Sequence, residues 1–143
     1  MNAERAAARR LALQAMYQVD VQGVEFLDND LRQFIAESSE DPRVREIAAF
    51  MTTSAWKFRE TADAWLGRLA SKWPVYRMPP VDRNILRLAV WEMVNYPQTP
   101  AKVVLDEAIN MAKEYSTAES GTFINGVLDA VLKEHLAETG KTQ

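Results

Sequence analysis

TPAKVVLDEAINMAKEYSTAESGTFINGVLD, residues 99–129, reads as two consecutive helices without a strand signal. In its first half Val104, Leu105, Ala108, Ile109, Met111 and Ala112 recur at the three-to-four-residue spacing that places them on one helix face. Thr99-Pro100 has the form of a helix start, a capping residue followed by proline at the first helical position. Ser116-Thr117-Ala118-Glu119 has the spacing of a capping box, with Ser116 as the cap and Glu119 three residues on. Phe123, Ile124, Val127, Leu128, Val131 and Leu132 then carry a final helix to about Glu138. Asn125-Gly126 sits oddly inside that pattern. Glycine weakens a helix by about 1 kcal/mol relative to alanine, and Asn-Gly is more familiar in turns. Something other than local helix preference therefore selected the pair.

The helical reading extends outward in both directions. Residues 3–20 form a first helix with Ala8, Leu11, Ala12, Ala15 and Val19 on one face, and a short second helix is expected over about 27–37. Asp41-Pro42 is another cap-plus-proline start. From Arg43 to Lys72 the period runs through Ile47, Phe50, Met51, Ala55, Phe58, Ala62, Trp65, Leu66 and Leu69, too long for one globular helix, so a break is expected near residues 52–58. KWPVYRMPP, residues 72–80, is a linker because its prolines push the preceding residues away from helical geometry. Val81 to Tyr96 resumes helix and buries Ile85, Leu86, Leu88, Ala89 and Met93. The expectation is an all-α protein of about seven helices joined by short loops, a single domain over residues 1–143.

Composition narrows the function. The 143 residues are 48% apolar and 26% charged, values of a globular protein able to build one ordinary core. No cysteine is present, which removes disulfides, thiolate metal sites and a cysteine nucleophile and fits a cytoplasmic location. The charged start MNAERAAARR lacks the apolar core of a signal peptide, and no membrane association is expected. A net charge of −3 argues against coating nucleic acid by bulk electrostatics, so nucleic-acid binding would need a local patch.

Catalytic signals are weak. His135, the single histidine, is flanked by Lys133 and Glu134 and reads as a surface residue. Asp106, Glu107 and Glu114 do not converge as a cation site would require, and Asp106 is better paired with Lys102 one turn earlier. With no phosphate loop and no hydrolase motif, neither an enzyme nor a metal or organic cofactor is expected.

Binding signals are stronger. Arg5 and Arg9 lie four apart on the first helix, and Arg10, Gln14 and Gln18 form a second column, so guanidinium and amide groups flank the alanine-rich face. Arginine pairs bidentately with phosphate and glutamine can bond base edges, although a solvated arginine face fits equally well. Tyr17 could be core, stacking surface or protein interface. For the Asn-Gly helix the structural reading is close approach of another helix at Gly126, with Asn125 bonding that neighbour. The functional reading has Thr122, Phe123 and Asn125 offering stacking and hydrogen bonds to single-stranded RNA at a helix N-terminal end. Physics alone leaves both open.

ARRLALQAMYQ (residues 8–18), VDRNILRLAVWEM (residues 81–93) and the quoted 99–129 stretch together resemble the NusB family of bacterial transcription antitermination factors. The likeness covers nearly the whole chain, loosely from Val21 to Lys72. It implies two small helical bundles, and binding of boxA-type single-stranded RNA jointly with NusE, which is also a small-subunit ribosomal protein. Other Nus factors and RNA polymerase then join the complex, which suppresses premature termination in ribosomal RNA operons. Matched position by position, the resemblance implies RNA contacts by Arg5, Arg9, Arg10, Gln14, Ser120, Thr122, Phe123 and Asn125, and NusE contacts by Tyr17 and Asp82.

Some positions depart from the more basic members of the family. Ala6, Ala7 and Ala8 stand where arginines are often denser, Thr122 where a lysine can occur, and Glu119 adds negative charge. Fewer basic side chains mean weaker RNA binding and a shallower salt dependence. The alternative is therefore a non-enzymatic helical scaffold that keeps a protein interface and has lost RNA recognition. NusB-like domains also precede the catalytic domain of some RNA cytosine methyltransferases, but these 143 residues leave no room for such a domain. Trp56, Trp65, Trp73 and Trp91 are many for one small domain; most are expected in the core, and any exposed ones would mark a partner or homodimer surface.

Overall fold

The structure, a computed structural model, describes residues 2–70 and 73–140. Among them are seven α-helices and no strand, as the period-3.6 patterning requires. The chain forms two compact units, residues 1–57 and 58–143.

In the first unit α1 (Asn2–Gln22) packs along α3 (Pro42–Lys57), with α2 (Leu31–Ser38) against both. Ala8, Leu11, Ala12, Ala15 and Val19 are all buried, as their spacing predicts. Small residues on α1 and on α3, where Ala48 and Ala55 are fully buried, let helices pack at short interaxial distance. Gly23, at φ +110°, ends α1 in a conformation that side-chain-bearing residues rarely adopt. The second helix begins later than the sequence suggests, because residues Phe26–Asp30 take a π-helical turn before α2. Asp41 caps α3 as expected, its Oδ1 accepting from Arg43 N at 2.9 Å. Arg45 reaches back from α3 to donate to the carbonyls of Ala36 (2.9 Å) and Ser39, satisfying groups that the end of α2 leaves open.

The helical run breaks at Phe58, at the edge of the expected window, and α4 (Arg59–Leu69) opens the second unit. The expectation that helix continues to Lys72 falls partly outside the described residues; α4 ends at Leu69. A single 3-10 turn, Val75–Arg77, occupies the proline-rich linker. α5 (Pro80–Asn95) contacts α4, α6 (Ala101–Tyr115) and α7 (Ala118–Thr139). A helix touched on several sides must be apolar nearly all round, and Ile85, Leu86, Leu88, Ala89, Val90, Trp91 and Met93 are all buried. Arg87, also buried, closes the α4–α5 contact with a two-pronged ion pair to Asp63, Nε to Oδ1 at 2.9 Å and Nη2 to Oδ2 at 2.8 Å.

Two helix starts differ from expectation by one residue. Pro100, in extended conformation, stands before α6 rather than inside it, and no side chain caps that end. Thr117, not Ser116, caps α7, its Oγ1 accepting from Ser120 N at 3.1 Å. Ser116 instead closes α6, its N–H donating to Ala112 O at 2.8 Å. Trp56 and Trp91 are buried, Trp65 is half-buried, and Trp73 is exposed.

Candidate nucleic-acid interface

The second unit holds a cleft of about 900 Å³, within the range of sites that take small organic groups. Its walls come from the end of α4, the linker residues Trp73 and Pro79, the first turn of α5 and the first turns of α7. Helical spacing explains the α7 contribution. Glu119, Ser120, Gly126 and Val127 each lie three or four residues from Phe123 and share its face.

Phe123 is half-buried and meets Trp73 edge to face, ring centroids 5.4 Å apart at 61°. Asp82 lines the same cleft and is 1% exposed. Its Oδ2 accepts from Ser120 Oγ at 2.8 Å, joining residues 38 apart in sequence, while Oδ1 has no hydrogen-bond partner among the described residues. Ser120 Oγ also lies 2.9 Å from Ser116 Oγ and 3.1 Å from Thr117 Oγ1, so three hydroxyls gather above the carboxylate. Among the described residues no lysine, arginine or histidine lines the cleft, whereas Asp82 and Glu119 do. That lining suits a flat group with hydrogen-bond donors and opposes phosphate.

Of the candidates on α7, the structure thus brings Ser120, Thr122 and Phe123 together in the cleft, with Asp82 beside them. Asn125 is exposed on α7 and lies outside the cleft lining. The reading of Gly126 as a helix-packing position is corrected: nothing lies within 4 Å of where its Cβ would stand, and the residue is exposed on the cleft wall. Gly121 is the buried glycine, and a Cβ there would stand 3.8 Å from a methyl of Ile109 on α6. The anion-favouring helix end also weakens as a reading, because Thr122 follows Glu119 and the Ser120 N–H is already taken by Thr117.

In the first unit Arg5, Arg10, Gln14 and Tyr17 are half-buried along α1, and Arg10 Nη1 donates to Ala6 O at 3.0 Å. Arg9 is 4% exposed, so its guanidinium is not a surface group. Its spacing from Arg5 could not reveal this, since i, i+4 neighbours share a face whether that face is wet or dry.

Sequence reasoning missed Trp73 and the Asp82–Ser120 bond. An indole inside a proline-rich linker was the available signal for the first. The second had none, because it depends on how α5 meets α7. His135 packs edge-on to Trp65, ring centroids 6.3 Å apart. Among the described residues no group of three or more His, Cys, Asp or Glu could hold a metal ion, and no helix is long and apolar enough to cross a membrane.

The family model of the NusB family matches residues 6–133. The transcription antitermination protein NusB of Symbiobacterium thermophilum is 37% identical over 137 residues, covering 90% of this chain and 89% of that protein. The crystal structure of T. maritima NusB superposes with a TM-score of 0.79 at 35% identity, covering 92% of each chain. A crystal structure of the antitermination factors NusB and NusE in complex with double-stranded RNA gives 0.81 at 25% identity, covering 94% of this chain and 99% of the matched one.

Proposed function

The chain belongs to the NusB family, and on that premise we propose that it is a transcription antitermination factor binding boxA-type single-stranded RNA together with NusE. Its role is adaptor rather than catalyst: it holds nascent RNA and NusE in a complex that other Nus factors and RNA polymerase complete, in the cytoplasm. In this reading the chain works as one NusB-like domain over residues 1–143.

The observation that carries the RNA reading is the Phe123–Trp73 aromatic pair beside Ser120 and Thr122. Stacking surfaces next to small hydroxyl donors and acceptors are what unpaired bases use. Arg5 and Arg10 supply the phosphate contacts, with Gln14 beside them and Asn125 on the exposed face of α7. Arg9 supports α1 from within, since it is buried. Tyr17 is the partner-facing candidate on α1; Asp82, the other, is buried and can act only through the cleft it lines.

Fluorescence anisotropy of a boxA-type RNA and a scrambled control, with the chain alone and with NusE, tests the reading. Partner-enhanced, sequence-selective binding that Phe123→Ala and the pair Arg5→Ala, Arg10→Ala each weaken is the expected result. A folded chain that captures NusE and shows no selective RNA binding would instead establish the scaffold alternative. Arg9 is left out of the arginine test because removing a buried side chain confounds RNA affinity with stability.

A further inference from the structure

The cleft contains a buried acceptor that no described group satisfies. Asp82 Oδ2 is engaged by Ser120, while Oδ1, on a residue 1% exposed, has no hydrogen-bond partner. Leaving a buried polar atom unsatisfied carries a free-energy cost, so native proteins rarely keep one without a use. A donor arriving with a ligand is such a use. Gly126, on the wall of the same cleft, is an independent sign. Nothing lies within 4 Å of its absent Cβ, so no packing constraint excludes a side chain there, and helix propensity favours one. What a side chain would enter is the cleft itself.

The lining defines the ligand. A buried carboxylate oxygen without a partner calls for an N–H donor, while Oδ2 already accepts from Ser120. Trp73, which is 44% exposed, Phe123 and Pro79 offer faces suited to a flat, apolar-sided group. Among the described residues the lining has two acidic side chains and no basic one, which disfavours phosphate there.

The geometry points to a nucleobase pocket: one base bearing an exocyclic amino group, cytosine, adenine or guanine, turns out of the bound RNA into this cleft and donates an amino N–H to Asp82 Oδ1. The sugar and phosphate stay outside. Uracil presents a carbonyl oxygen in place of that amino group, so in the same seat acceptor would meet acceptor and the base is disfavoured. This inference rests on the RNA-binding reading above and adds the chemical class of base that the site selects.

The test uses the full chain with NusE and a set of single-stranded boxA-type RNAs in which each position is exchanged in turn between cytosine and uracil. Anisotropy with the unsubstituted chain should show one position where cytosine is preferred by about tenfold, the scale of one hydrogen bond to a charged group. Asp82→Asn keeps an oxygen for Ser120 and places an amide N–H₂ where Oδ1 stood. Its preference at that position should turn toward uracil, with the other positions unchanged. Gly126→Leu, which puts a side chain into the cleft and strengthens the helix, should erase discrimination at the same position, and it decides the matter if Asp82→Asn does not fold. Selective RNA binding in which neither variant alters any cytosine-to-uracil ratio overturns the pocket and leaves the antitermination reading standing. No selective binding by the unsubstituted complex overturns both. An Asp82→Asn chain that loses NusE capture while its base ratios are unchanged assigns the carboxylate to the protein partner and overturns the pocket.

Discussion

At the scale of single residues, Thr117 and Gly126 govern α7 in opposite senses. Thr117 holds the first turn through the bond from Ser120 N to its Oγ1. Thr117→Ala should therefore lower stability by about 1 kcal/mol in urea denaturation, and Ser116→Ala by clearly less. Equal losses would return the cap to Ser116. Gly126→Ala should raise stability by up to about 1 kcal/mol, because the new methyl meets open space and the unfolded chain loses freedom. A fall in the thermal midpoint would mean that the position is constrained after all. The hydroxyl pair Ser116-Thr117 illustrates what a motif can and cannot convey. Either residue satisfies the capping pattern by spacing, and only the place where α6 stops selects between them.

At the scale of elements, α5 is the organising helix of the second unit, and its most consequential polar contact is Arg87 with Asp63 of α4. Arg87 also donates to Asn84 Oδ1 at 3.2 Å, so its guanidinium is held from two sides. Removing one partner of a buried pair leaves the other uncompensated. Arg87→Met should cost about 3 kcal/mol, the lower end for such pairs, because the Asp63 side chain keeps 28% of its exposure and remains partly solvated. Adding Asp63→Leu to that variant should recover part of the loss, measured by chemical denaturation as a double-mutant cycle. By contrast Lys102 and Asp106, the i, i+4 pair expected from sequence, lie 3.6 Å apart on the surface and should contribute little. Periodicity revealed which apolar residues of α5 turn inward. It could not reveal that Asp82, Asn84, Arg87 and Glu92 are buried too, since partners such as Asp63 and Ser120 lie on other helices.

For the whole molecule the decisive quantity is charge. With a net charge of −3 and Arg9 buried, Arg5 and Arg10 remain as the arginines of α1 proposed to meet phosphate. Two neutralised phosphates correspond to a slope of log K against log salt of roughly −1.4 for a single strand. The chain alone should thus bind boxA-type RNA weakly, with a slope that shallow, and gain most of its affinity from NusE. Equal affinities with and without NusE, or a steep slope for the chain alone, would contradict this.

Helix content, the inward faces of α1 and α7 and the membership of a family of RNA-binding adaptors were all legible in the residue pattern, because periodicity, proline placement and local motifs act over a few neighbours along one chain. Whether Arg9 is wet or dry, whether Gly126 faces a helix or open space, and that Asp82 lies buried beside a cleft were decided only by packing. Each depends on what a distant segment places opposite the residue: α7 brings Ser120 to Asp82, and the linker brings Trp73 to Phe123. Such contacts follow from how helices dock, and no local pattern encodes them.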